Sequence, residues 1–349
     1  MKEKPNLGHL VYEMTEACNQ NCRFCYNHWR PEGSLPADGR LARRTLRRIF
    51  RQAEVGSVSF SGGEPTLLNN IHDLALKCRF KGAAVNVLTN GTLLTEDAVR
   101  NFKSIDVSAI QIPLLSDDPS IHEYLTGLPG SWEKAIKAIK TVLEIFGPEH
   151  FAAVLIVTAK NTSSLEGTLN LYKTLGIRTV LVNRFNLGGN GLKNREELCL
   201  TRDGLNGAFR VISDFSMKNP EMDFVSGVCT PLCVSDPIDY PGIRFTSCST
   251  DLKERPVTIS YMGDVRFCNH SPFVLGNIWE RDLKEILEDE SVIARYSAVP
   301  EECAGCRLYA RCKGGCRAAS EQVFGTFGRV DPIAGLGGAL HFSDEHHPA

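Results

Sequence analysis

The chain of 349 residues lacks any long apolar run: the longest, FAAVLIV at 151–157, is far too short to cross a bilayer. Its opening, MKEKPNLGHLVYEM, has no apolar stretch of the kind a secretion signal needs, so a cytoplasmic protein without a membrane span is expected. Neither sign of charge is in excess. With 39 Lys and Arg against 41 Asp and Glu, the chain has no basic surplus for a nucleic acid and no acidic tail. What is not scarce is cysteine. Thirteen of them in a reducing compartment will not be kept as structural disulfides, and most fall in tight spacings, so metal ligation is the expected use.

From residue 9 to about 216, short apolar runs alternate with amphipathic segments, the signature of repeated βα units around a parallel sheet. Strands are expected at His9–Met14, Val58–Phe60, Ala84–Thr89, Val107–Ile112, Ala152–Val157 and Thr179–Asn183. In SWEKAIKAIKTVLEIFG, apolar residues recur at helical spacing from Trp132 to Phe146, with Ser131 placed to cap the helix and Gly147 to end it. The helix RLARRTLRRIFRQA turns Leu41, Leu46, Ile49, Phe50 and Ala53 inward, and its arginine-rich outer face is expected to be solvated. After about 217 the rhythm breaks, PVTISYMGDVRFC carries a turn at Met262–Gly263, and cysteines become dense. The expected division is therefore 1–216, 217–330 and a loose glycine-rich tail, 331–349, whose His346 and His347 are not read as ligands.

The loop EACNQNCRFCYNHW, at 16–29, carries Cys18, Cys22 and Cys25 and no fourth cysteine. It follows the first strand and so lies at the C-terminal rim of the sheet, where α/β barrels keep their chemistry. Three thiolates can hold three irons of a [4Fe-4S] cube and leave the fourth iron to an outside chelator. The next rim loop is FSGGEP, where Gly62 and Gly63 would let a ligand approach the backbone and Glu64 offers a carboxylate to an ammonium group. The third is LTNG, with Asn90 and Gly91.

With these loops the sequence resembles the radical S-adenosylmethionine (SAM) superfamily: CNQNCRFC matches the CxxxCxΦC signature, with Phe24 as its aromatic, and GGEP matches the SAM-binding loop. The resemblance implies that SAM chelates the open iron through its amino and carboxylate groups, while Glu64 and the Gly62–Gly63 backbone hold the amino group. It also implies a partial (β/α)6 TIM-like barrel, reductive cleavage of SAM to a 5′-deoxyadenosyl radical, and an external low-potential electron donor of flavodoxin or ferredoxin type. Pro113, Leu114, Leu115 and Ser116 stand where the family has SLDG, so that segment's polar help is not carried over. Asn183, Arg184 and Thr158 are rim residues placed to touch adenosine or substrate, or else to stabilise their own loops.

A second cysteine group comprises Cys248, Cys268 five positions after Gly263, and CAGCRLYARCKGGC, which places Cys303, Cys306, Cys312 and Cys316 at CxxCx5Cx3C. A zinc ribbon is the plain structural alternative. The spacing resembles the SPASM extension of radical SAM enzymes, a small cysteine-rich domain that binds one or two auxiliary [4Fe-4S] clusters. By that resemblance Cys248, Cys268 and Cys316 ligate the first and Cys303, Cys306 and Cys312 the second. The family's seventh cysteine is missing: VDPIAG has Ala334 there, leaving Asp331 as a fourth ligand or the second cluster open or absent. Upstream, GVCTPLC offers Cys229 or Cys233 to complete the first, unless substrate takes the vacant iron. Cys78 and Cys199 read as ordinary residues. Asn269 follows Cys268 where sulfatase-maturing enzymes carry an aspartate base, so that activity is not expected.

The expected function is radical modification of a ribosomally made peptide. The alternatives are a tetrapyrrole or other small-molecule radical SAM reaction, favoured by the lack of a peptide-recognition domain ahead of the barrel, and a non-catalytic iron–sulfur or zinc scaffold, against which the intact GGEP argues.

Overall fold

The computed structural model describes residues 4–30, 33–251 and 255–335, so His346 and His347 lie outside the described residues. The strands are β1 (Asn6–Glu13), β2 (Glu54–Ser61), β3 (Ala84–Leu88), β4 (Ala109–Pro113), β5 (Phe151–Val157), β6 (Thr179–Arg184), β7 (Asp223–Ser226), β8 (Arg244–Phe245), β9 (Val257–Ser260), β10 (Asp264–Arg266) and β11 (Val274–Asn277). Between β1 and β7 run α1 (Gly39–Gln52), α2 (Ile71–Phe80), α3 (Glu96–Ser104), α4 (Pro119–Thr126), α5 (Ser131–Ile145), α6 (Leu165–Leu175), α7 (Asn190–Lys193), α8 (Arg195–Leu198) and α9 (Arg202–Lys218). After β11 come α10 (Leu283–Leu287), α11 (Glu290–Ser297), α12 (Tyr309–Cys312) and α13 (Arg317–Phe324).

All strands belong to one open sheet ordered β11-β10-β9-β1-β2-β3-β4-β5-β6-β7-β8. The pairs from β9 through β1 to β8 are parallel, while β10 and β11 are antiparallel. The six expected units thus form a partial (β/α)6 barrel. Val58 and Phe60 on β2, Val85 and Val87 on β3, and Ile110 and Ile112 on β4 alternate into the core, the period of two that a sheet covered by helices requires.

The sheet does not stop at the cysteine-rich region. β9 pairs with β1 (Leu10 opposite Val257), and the buried pair Arg266–Glu13 ties β10 to β1. The boundary expected at 216/217 falls inside the last turn of α9, because its buried face continues through Phe209, Ile212 and Ser216. The turn at Met262–Gly263 joins β9 to β10, with Gly263 at φ +98° and its N–H donating to Ser260 O.

Two local expectations differ. Helix α5 begins at Ser131 with Gly130 in the capping position, because the Ser131 hydroxyl is turned to Thr126 Oγ1 at 2.7 Å. The arginine face of α1 is partly covered: Arg44 and Arg48 lie over the Trp279 ring, and Arg48 donates to Ile278 O. Among the described residues, no helix is long and apolar enough to cross a membrane.

Candidate functional site

The loop after β1 is held by glycines of its neighbours. A Cβ on Gly62 would lie 2.4 Å from Thr15 O, and one on Gly63 2.1 Å from Ala17 O, both far inside contact distance. Gly62 sits at φ +116°, and Gly63 N and Glu64 N donate to Thr15 O and Ala17 O at 2.7 and 2.8 Å. From the loop after β6, Gly189 closes on the carbonyls of Asn27 and Cys25 in the same way. Gly62 and Gly63 therefore serve the approach of the cysteine loop, and they also line the cavity to which sequence reading had them admit a ligand.

Glu64 is fully buried and works as a hub. Its Oε1 accepts from Thr66 N at 3.0 Å, Thr66 Oγ1 at 2.5 Å and Thr89 Oγ1 at 2.6 Å, and its Oε2 accepts from Asn90 N at 2.7 Å. Burial holds its carboxyl above the usual range, and these four bonds pull it only part of the way back. One acceptor direction remains on Oε2. Asn90 is bound in turn, its Nδ2 donating to Asn19 Oδ1 at 2.8 Å.

These loops share a cavity of about 220 Å³. Its rim carries Cys18, Cys22, Cys25, Gly62, Gly63, Glu64, Thr89 and Asn90. Its floor is built by alternate residues of the strands: Gln111 and Pro113 of β4, Val154 and Ile156 of β5, Leu181 and Asn183 of β6. Asn183 lines this floor, but its Oδ1 is turned out of the cavity against Gly227, where a Cβ would lie 2.8 Å from it, and is buried there without a hydrogen-bond partner among the described residues. Thr158 is not part of this wall: its N–H and hydroxyl both donate to Asn161 Oδ1, at 2.8 and 3.0 Å, in a loop that satisfies itself. Arg184 also points elsewhere, into a buried ion pair with Asp331.

Burial pushes all three loop thiols up, Cys25 to about 11, while the Arg30 guanidinium draws them down. Bare, they would be protonated at neutral pH, so metal binding must displace their protons. Arg30 also lines the cavity, and sequence reading missed it. The only signal was a cation five positions beyond Cys25.

In the cysteine-rich region, the Cys229 thiol lies beside Cys248 and near Cys316, while Cys268 lies near Cys248 and Cys316. Cys248 is pulled down by the adjacent Cys229 thiol and by Arg255, whose Nη1 lies 3.1 Å from its sulfur. Cys303 has Cys312, Cys306 and Cys233 around it and is pushed up to about 11, first by burial. Asp331, read from sequence as a ligand beside these last cysteines, instead stands against Cys316. One oxygen accepts from Arg184 and from Cys316 N at 2.7 Å, the other from Ile333 N at 3.1 Å, which leaves the carboxylate engaged as it stands. Among the described residues, no three His, Cys, Asp or Glu side chains converge tightly enough to hold a single ion. A cluster instead asks for thiolates standing apart, one per iron. Tyr26 lies between the two regions, its ring 3.6 Å from that of His270 and its hydroxyl accepting from Asn269 Nδ2 at 2.6 Å.

The family model described as the radical SAM superfamily matches residues 12–172, and the SPASM model, an iron-sulfur cluster-binding domain, matches residues 248–313. The PqqA peptide cyclase of Granulibacter bethesdensis is 25% identical over 352 residues, covering 98% of this chain and 90% of that protein. An AdoMet-dependent heme synthase of Methanosarcina barkeri is 25% identical over 351 residues, covering 95% and 97%. The crystal structure of Streptococcus suis SuiB bound to precursor peptide SuiA shares the fold, with a TM-score of 0.72 at 18% identity over 95% of this chain and 76% of that one.

Proposed function

Since the chain belongs to the radical SAM superfamily and carries a SPASM iron–sulfur domain, we propose that it uses SAM to modify a ribosomally made peptide by hydrogen abstraction. The observation that carries this reading is the cavity itself, with three thiols and the GGE loop on one wall and the ends of β4, β5 and β6 as its floor.

Cys18, Cys22 and Cys25 would hold the SAM-binding cluster, and the free acceptor direction on Glu64 Oε2 would take the SAM ammonium. When bound, the reduced cluster supplies the electron that splits SAM into methionine and a 5′-deoxyadenosyl radical, which takes hydrogen from a substrate C–H bond. The chain's own part is placement and shielding. Glu64 fixes the second rim loop to the third through Thr89 and Asn90, so the acceptors facing the ammonium are set before it arrives. Leu88, Pro113, Val154, Ile156 and Leu181 present apolar surface that keeps water from a reactive radical. Electrons would come from a low-potential flavodoxin or ferredoxin. The cysteine-rich region, from the Cys229 loop onward, would carry at least one auxiliary cluster.

A peptide substrate is supported by the likeness to PqqA peptide cyclase along nearly the whole chain, and by the shared fold with SuiB, which was crystallised with a precursor peptide. The heme synthase matches at the same identity and favours a tetrapyrrole as the second reading. To decide, reconstituted protein with SAM and reductant is offered short peptides encoded beside its gene, and separately a tetrapyrrole precursor. Hydrogen loss or a new bond in a peptide by mass spectrometry is the expected result; conversion of the tetrapyrrole alone would overturn the peptide reading.

A further inference from the structure

The SPASM match spans 248–313 and leaves out Cys229, Cys233 and Cys316. The segment VCTPLCVS, which contains the first two, is folded tightly against the last turn of the cysteine motif. Val234 N and Ser235 N both donate to Pro231 O, at 2.8 and 3.1 Å, closing a turn that carries Cys233 just after Cys229. Pro231 packs on Gly315 so closely that a Cβ there would lie 2.6 Å from Pro231 Cγ. At one end, Arg184 Nη2 donates to Cys229 O at 2.7 Å, and the Cys229 thiol meets Cys248. At the other end, Leu232 N points at Cys312 Sγ at 3.3 Å, and Cys233 faces Cys312 and Cys306.

We propose that this turn divides its two cysteines between two auxiliary iron–sulfur clusters: Cys229 completes a set with Cys248, Cys268 and Cys316, and Cys233 completes a second set with Cys303, Cys306 and Cys312. The inference rests on the iron–sulfur reading of the SPASM domain. Cys233 then replaces the thiolate absent at Ala334, from a part of the chain well upstream. Asp331 is not needed, since its carboxylate holds Arg184 and the Cys316 backbone on the other set's side. With four thiolates each, neither cluster keeps an iron free for substrate, so both are suited to carrying electrons and bracing the fold.

The test uses the full chain with Cys18, Cys22 and Cys25 all changed to Ala, reconstituted anaerobically with iron and sulfide and then challenged with a chelator. About eight irons should remain, and adding Cys233→Ser should leave about four. About eight irons after Cys233→Ser, or zinc in place of iron, overturns the proposal. A second measurement needs no change at Cys233, which is exposed in the metal-free chain. Iodoacetamide should label Cys233 in the stripped triple variant and spare it, together with Cys229, in the iron-loaded one; labelling of Cys233 in the iron-loaded protein overturns the proposal. Neither readout involves SAM cleavage, so a failure of the catalytic reading would show separately.

Discussion

Replacing Glu64 tests whether one buried carboxylate both braces the rim and receives the cofactor's ammonium. In Glu64→Ala, four donors lose their acceptor. Asn90 and Thr89 line the cavity and can turn to water there, but Thr66 N and its hydroxyl lie outside it, and an unsatisfied buried group costs roughly 1–3 kcal/mol. Separately, a charge-assisted bond to the SAM ammonium is worth about 1.5–3 kcal/mol, or about one to two decades of affinity. Glu64→Gln separates the two effects. Its amide oxygen can still serve Thr66 and Thr89, but its NH2 faces Asn90 N–H and its charge is gone. Urea unfolding and equilibrium dialysis of SAM, run on both reconstituted variants, should show Ala losing stability and affinity, and Gln recovering most of the stability but not the affinity. Wild-type SAM affinity in Glu64→Gln would refute the role of its charge, and an unchanged unfolding midpoint in Glu64→Ala would refute its bracing role.

Gly63→Ala alters no ligand, yet its Cβ would meet Ala17 O at 2.1 Å, so the reconstituted variant should lose about four irons by iron assay. Gly8→Ala, with nothing within 4 Å, should lose none. Buried His122 accepts from Leu115 N through Nδ1 at 3.2 Å, and burial lowers its pKa from 6.5 to about 4. The unfolded chain therefore binds this proton first: the contribution is intact above pH 6.5 and falls as pH drops toward 4, at about 1.4 kcal/mol per pH unit and roughly 3 kcal/mol in all. Stability curves at pH 7 and pH 5 should be flatter for His122→Gln, and equal slopes would contradict this.

What was legible in the sequence is what short range decides. The six barrel strands follow from apolar runs between amphipathic segments, and the rim loops follow because each lies directly after a strand. Distant pairing was not legible. Nothing local in PVTISY announces that β9 extends the sheet beyond β1, since the partner lies more than two hundred residues away. The roles of Gly62 and Gly63 depend on a loop from another strand, and Asp331 depends on Arg184 across 147 positions. Cys229 and Cys233 looked interchangeable because only tertiary packing against the Cys312–Cys316 turn tells them apart.

The central claim is that Cys18, Cys22, Cys25 and the GGE loop form one SAM-cleaving centre. Chromatographic detection of 5′-deoxyadenosine from anaerobically reconstituted, reduced protein tests it directly. The wild-type chain should convert SAM to 5′-deoxyadenosine and methionine, and the Cys18/Cys22/Cys25→Ala triple variant should form none while its SPASM cysteines still hold iron; 5′-deoxyadenosine from that variant at the wild-type rate would contradict the assignment.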